Sequence, residues 1–199
     1  MNKNLSTKSR FKDLKIAITG ANGSLGKSLI EELKRHGAYI IGLTHSKKDN
    51  NNSYTTAPDE WILWSCGKEE ILSDRLANID ILILNHGFNP KEIIDSKQIN
   101  KAIEINSLSH WRLIQLFEGL AQNNNKDKSK EIWINTSEAE IQIAFSPVYE
   151  ITKRLIGELV SLKKSKLLIE KSKSIIIKKL ILGPFKSNLN PAGLLSPEF

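Results

Sequence analysis

Residues 15–26 read KIAITGANGSLG, and this stretch decides the fold. KIAIT has the continuous apolar character of a buried strand, and SLGKSLIEELKRHG after it has helical spacing up to Gly37. Between them, Gly20, Gly23 and Gly26 supply what a pyrophosphate-binding turn requires: a tight bend, a close backbone approach and close helix–strand packing. The helix start adds free N–H groups and the positive end of its dipole. A purely structural turn is the alternative. The position at the first strand–helix junction favours a dinucleotide, with Gly20, Asn22, Gly23, Ser24, Leu25 and Gly26 as its cradle.

Outward from this turn, short apolar runs alternate with helical stretches. Strands are predicted at residues 39–44 (YIIGLT), 61–64 (WILW), 79–85 (IDILILN), 132–136 and 174–182. Helices are predicted at 69–78, 98–122 and 147–168. Such alternation predicts an α/β fold: a parallel sheet covered on both faces, in three α/β/α layers. Residues 46–60 are polar and rich in turn formers, so a crossover helix is expected to be short or missing there, and 122–130 read as a solvated loop. Neither looks like a domain boundary, and 199 residues suit one domain spanning 1–199.

Composition narrows the function classes. Hydrophobic residues at 40% and charged residues at 26% are too apolar for a disordered chain. Cys66 is the only cysteine, so an internal disulfide is impossible, and the four histidines lack metal-ligand spacing. The lysine-rich start lacks the apolar centre of a signal peptide, and no apolar run is long enough to cross a bilayer. A cytoplasmic chain without a membrane partner is therefore expected. Residues 126–179 carry twelve Lys/Arg against seven Asp/Glu, which is +5 of the net +7. Those lysines have no interleaved aromatic rings, so a solvated face is favoured over a nucleic-acid surface. Trp61, Trp64, Trp111 and Trp133 lie in apolar patterns and read as core.

The end of the second strand bears on which dinucleotide is bound. An acidic residue about 20 positions after the glycines would hold the ribose 2′-hydroxyl of NAD. Here the chain reads Thr44-His45-Ser46-Lys47-Lys48, with no acid before Asp49. Hydroxyl and ammonium groups suit a 2′-phosphate, which favours NADP(H). NAD stays open should Asp49 curl back.

Four features in this order resemble the short-chain dehydrogenase/reductase family over roughly residues 15–189. Thr19–Gly26 fits its TGxxGxxG variant. Leu84-Asn85-His86-Gly87 is similar to NNAG, with Leu84 and His86 as departures. Asn106, in INSLSHW, is similar to the family's helix asparagine, and Tyr149-Glu150-Ile151-Thr152-Lys153 is a YxxxK motif. Residues i and i+4 lie one above the other on a helix, and an ammonium nearby favours the phenolate of a phenol that otherwise ionises only near pH 10. The resemblance implies a Rossmann-like doubly wound sheet. It implies that Tyr149 exchanges a proton with a carbonyl or alcohol oxygen and that Lys153 promotes this and holds the nicotinamide ribose. Asn106 would help a water connect Lys153 to solvent.

A serine should follow the fifth strand and donate to the reacting oxygen. Ser137 is chosen, with Thr136 in reserve, while Glu138 would repel developing negative charge at that place. Gly183, Pro184, Phe185 and Ser187 are similar to the family's PGxxxT region, with Leu182 a departure. Asn85, His86 and Gly87 complete the expected cofactor contacts. Family members usually continue into a substrate-covering helix and a further strand. Here Ser196 and Pro197 resemble a helix start, so lid and last strand are expected to be short or missing.

The leading expectation is an NADP(H)-dependent oxidoreductase acting on a small carbonyl or alcohol substrate, with a homodimer or homotetramer implied by the family. A nucleotide-binding sensor or scaffold without turnover comes second. An epimerase of the family's extended branch comes third, because that branch needs a larger sugar-binding portion.

Overall fold

The structure, a computed structural model, describes residues 9–46, 57–90, 95–123, 129–144, 146–187 and 189–191. The expectations for Lys47, Lys48 and Asp49, for most of 46–60, for 124–128 and for the chain end at Ser196 and Pro197 lie outside them.

Six parallel strands form one sheet in the order β3-β2-β1-β4-β5-β6. They are β1 (Lys15–Thr19), β2 (Tyr39–Thr44), β3 (Glu60–Leu63), β4 (Ile81–Leu84), β5 (Lys130–Ser137) and β6 (Ile175–Leu182). The order reverses between β1 and β4, which is where open α/β sheets bind ligands, beyond the carboxyl ends of their strands. Side chains alternate between the two faces. Ile16 and Ile18 of β1 pack with Ile30 and Leu33 of α1 (Ser24–Arg35). Ala17 faces the other layer, where Leu113 and Phe117 of α4 (Ser109–Gln122) meet Ile156 and Val160 of α5 (Pro147–Ile169).

The sequence expectations needed three local adjustments. The helix expected at 69–78 is a 3₁₀ turn at Glu69–Leu72 followed by a four-residue α2 (Ser73–Leu76). The long helix expected at 98–122 is α3 (Ser96–Ile103), a π-helical turn (Glu104–Leu108) and α4. Apolar periodicity passes through such a bulge without a visible break, although π turns gather at functional sites. The fifth strand is longer than expected, because Lys130 and Ser137 pair in register with Ile175 and Leu182 of β6. Of the tryptophans, Trp64 is buried, while Trp61, Trp111 and Trp133 pack against the core with part of each ring exposed.

Candidate active site

Gly20 sits directly after β1 with φ +62°, a conformation that side chains with a Cβ rarely adopt. A Cβ there would lie 2.9 Å from the backbone of Asn85 and His86, so the turn is pressed against the segment that follows β4. Gly26 is equally constrained, since its Cβ would stand 2.4 Å from the Gly20 carbonyl oxygen. Gly23 caps α1 without a side-chain acceptor, and no acidic residue occupies the first turn. The first N–H groups of that helix therefore meet no carboxylate of their own helix, as an anion site requires. Asn22 donates to the Thr44 hydroxyl at 2.7 Å, which joins the turn to the end of β2. Thr44 is buried and also accepts from the Ser46 N–H, so His45 and Ser46 are the exposed groups at that strand end.

Thr19 ties β1 to β4. Its hydroxyl accepts from the N–H groups of Asn85 and His86 at 2.8 and 3.3 Å, and pairs with His86 Nδ1 at 2.8 Å. His86 Nε2 lies 3.2 Å from the Ser109 hydroxyl, and its ring stacks on His110 with centroids 3.9 Å apart. Burial, reinforced by the Lys153 ammonium, pushes the His86 imidazole down to about 3. The same two causes, with His86 itself, hold His110 well below the ordinary histidine range. Burial thus keeps both rings neutral at physiological pH. Beneath them, burial alone would raise the Glu69 carboxyl, but Arg112, Ser109 and the Gly67 N–H outweigh it and hold the group low.

A crevice of about 360 Å³ opens at the carboxyl ends of β4, β5 and β6. Ser137, Tyr149 and Lys153 all line it, with Asn85, His86 and Gly87 on one wall and Gly183, Pro184, Phe185 and Ser187 on another. Leu25 is the residue of the glycine turn that reaches it. Gly20, Asn22, Gly23, Ser24, Gly26, Thr44, His45 and Ser46 lie off its wall, toward β1 and β2, where the remainder of a dinucleotide would extend.

Lys153 is 4% exposed, and its Nζ stands 5.5 Å from the Tyr149 ring centroid. Among the described residues no carboxylate pairs with it. A buried ammonium left open on a crevice wall is costly unless a ligand supplies acceptors. Of the two hydroxyl candidates, Thr136 donates to the Leu180 carbonyl at 3.2 Å and is occupied by the sheet. Ser137 caps a short 3₁₀ turn (Glu138–Glu140), its oxygen accepting from the Ala139 N–H, and its proton is not spoken for among the described residues.

Asn106 is the expected catalytic residue that does not line the crevice. It is fully buried in the π turn, where its amide accepts from the Phe88 N–H and donates to the Phe88 carbonyl and the Thr152 hydroxyl. It braces the β4 loop against the helix that carries Lys153. The crevice also holds Asn89, Ile143 and Asn190, which motif reading passed over, together with Asn135 and the Glu138 weighed above beside the serine. Glu138 accepts from the Gln142 amide at 2.6 Å, and Asn89 accepts from the Ser146 hydroxyl at 2.7 Å. Nothing in their spacing marks them, since long-range folding alone brings them together.

The strand order, the glycine turn and the Tyr149–Lys153 wall are those of the short-chain dehydrogenase fold. Solved short-chain dehydrogenases superpose closely. One from Burkholderia cenocepacia, in complex with NADP, matches with a TM-score of 0.77 at 16% identity, over 94% of this chain and 81% of its own. One from Leptospira borgpetersenii with bound NAD+ matches with a TM-score of 0.75 at 22% identity, over 94% and 77%. At the sequence level the chain is similar to a monoglucosyldiacylglycerol epimerase of Synechocystis, 42% identical over 198 residues. That alignment covers 98% of this chain and 47% of the relative, so the chain spans about half the length of the curated relative it matches. No family model matches the sequence.

Proposed function

We propose that this chain carries nicotinamide-dependent hydride-transfer chemistry at a secondary alcohol of a sugar, used to epimerise the headgroup of a glucosyl lipid. The observation that carries the reading is the meeting of Ser137, Tyr149 and Lys153, which has no carboxylate partner among the described residues, in one crevice that Leu25 of the glycine turn also lines. The substrate class rests on the epimerase relative. It moves the epimerase from last place among the sequence expectations to first, because the identity runs through the whole of the dinucleotide-binding portion.

The residues fit the cofactor. The Gly20–Gly26 turn has no room for a side chain at either end, the α1 terminus has no acid of its own, and the Lys153 ammonium waits for acceptors. Gly20, Asn22, Gly23, Ser24 and Gly26 would hold the pyrophosphate, and Lys153 the nicotinamide ribose. Gly183, Pro184, Phe185 and Ser187 would border the nicotinamide. His45 and Ser46, with no carboxylate beside them among the described residues, favour NADP(H) over NAD. A bound nicotinamide would supply the redox chemistry, as acceptor of a hydride from one face of the carbinol carbon and donor to the opposite face of the resulting ketone.

The chain's own groups handle the proton and the geometry. Tyr149 removes the hydroxyl proton of the substrate and later gives it back. The Lys153 ammonium, a turn away, stabilises the phenolate that this requires. Ser137 donates to the same substrate oxygen. Asn106 keeps the β4 loop and α5 in register, and neutral His86 adds no second cation beside Lys153. Pairing into a homodimer is supported by Ile151, Leu155 and Leu162, all exposed along one side of α5.

The test is fluorescence titration with NADPH and NADH, then conversion of a glucosyl lipid to its epimer. Tyr149→Phe is expected to bind NADPH nearly as wild type does while conversion falls at least about 100-fold, the usual worth of a positioned acid–base. Undiminished conversion by that variant refutes the assignment. Net accumulation of oxidised or reduced cofactor would instead mark a dehydrogenase.

A further inference from the structure

We infer that Ile141 and Ile143 form an apolar rim that seats the crevice against the surface of a lipid bilayer, so that a sugar enters while its acyl chains stay in the membrane. The inference rests on the proposed reaction at a glycolipid headgroup and adds the surface on which that substrate is met.

Ile141 and Ile143 are 71% and 73% exposed, and Ile143 belongs to the crevice wall. Their outward position is built into the turn. The N–H groups of Ile141 and Gln142 both donate to the Glu138 carbonyl at 2.9 Å. The Gln142 amide folds back on the Glu138 carboxylate. Glu150 fastens the following strand of loop through the Ala144 N–H at 2.9 Å. These bonds hold the turn in place, and two β-branched apolar side chains are left in water. Leu180 and Ile181, 38% and 45% exposed, pair in register with Asn135 and Thr136 at the same end of the sheet.

Size supports the division of the substrate. A volume of about 360 Å³ corresponds to a cube of about 7 Å edge, in the lower range of small-molecule sites. An acyl chain that fills half of a bilayer's hydrocarbon core is about 15 Å long, so two of them have no place inside. The lining combines polar groups, among them Asn85, Asn135, Ser137, Tyr149 and Lys153, with apolar ones that include the highly exposed Ile143. A hydroxylated headgroup suits the first and an apolar aglycone the second. No helix among the described residues is long and apolar enough to span a membrane.

The experiment compares wild type with Ile141→Ser and Ile141→Ser/Ile143→Ser. Flotation with neutral phosphatidylcholine vesicles, with and without monoglucosyldiacylglycerol, is read beside conversion of vesicle-borne glycolipid and of a soluble octyl glucoside. Neutral vesicles matter because a chain of net charge +7 is drawn to anionic ones regardless. Wild type is expected to float with neutral vesicles, the double variant to stay in solution, and the ratio of vesicle-borne to soluble conversion to fall about tenfold. Flotation and ratio unchanged by the substitutions, or association with anionic vesicles alone, overturn the rim while a converted soluble glucoside leaves the reaction standing. Isoleucine-dependent flotation with neither glycoside converted keeps the membrane surface and refutes the sugar reaction.

Discussion

Acidification from pH 7.5 to 5 is predicted to destabilise the protein through His86. Burial, then the Lys153 ammonium, lowers its imidazole from 6.5 to about 3 in the folded chain. In the unfolded chain the same ring takes a proton below about 6.5. Between those values the unfolded state binds more protons. The contribution is therefore whole above pH 6.5 and is lost progressively as pH falls toward 3. At pH 5 the unfolded ring lies about 1.5 units inside that window, and at about 1.36 kcal/mol per unit the loss is about 2 kcal/mol. This is an upper figure, because one side of the residue reaches the crevice. His110 acts in the same direction. Asp59, Glu69 and Glu131 are all held below the ordinary carboxylate range, so their own losses fall at lower pH. Urea unfolding midpoints at pH 7.5 and 5.0 measure the effect, with His86→Ala as the comparison. The variant is expected to lose up to about 2 kcal/mol less than wild type over this interval. An identical fall in both proteins would refute a His86 held neutral by the fold.

Gly26→Ala places a methyl 2.4 Å from the Gly20 oxygen, so the turn must open. Stability is expected to drop by about 1–3 kcal/mol and NADPH quenching to disappear, as checked by denaturation and titration. Lys179→Met strips the partner from Glu140, whose carboxylate is 2.9 Å away with a side chain only 6% exposed. Breaking that pair is expected to cost about 3–5 kcal/mol. Adding Glu140→Gln should restore most of it in the same urea assay.

Much of the site was legible because its chemistry is written at short range. Gly20, Gly23 and Gly26 describe one turn, and Tyr149 and Lys153 stand one helical turn apart, so spacing alone places each set. The serine was ambiguous in sequence, because counting along a loop cannot tell which of two adjacent hydroxyls faces inward. Both line the crevice, and the hydrogen bonds separate them: Thr136 gives its proton to the Leu180 carbonyl, whereas Ser137 only accepts, from the Ala139 N–H. Asn106 was visible as a residue but not as a brace, since its partners Phe88 and Thr152 are 18 and 46 positions away. Glu140 shows the same limit. Its niche exists only because Gly157 on α5 lacks a side chain, whose Cβ would meet the carboxylate at 2.2 Å.

By itself the sequence determined the alternation of strands and helices, the place of the glycine turn and the setting of a phenol one helical turn from an ammonium. Each of these depends on periodicity or on neighbours within one helical turn, where backbone geometry is common to all proteins. Only the tertiary structure decided the strand order, the neutrality of His86, the burial of Lys153 and the outward setting of Ile141 and Ile143. Those properties follow from which distant segments exclude water from a side chain and which leave it exposed, and no local pattern of residues encodes that.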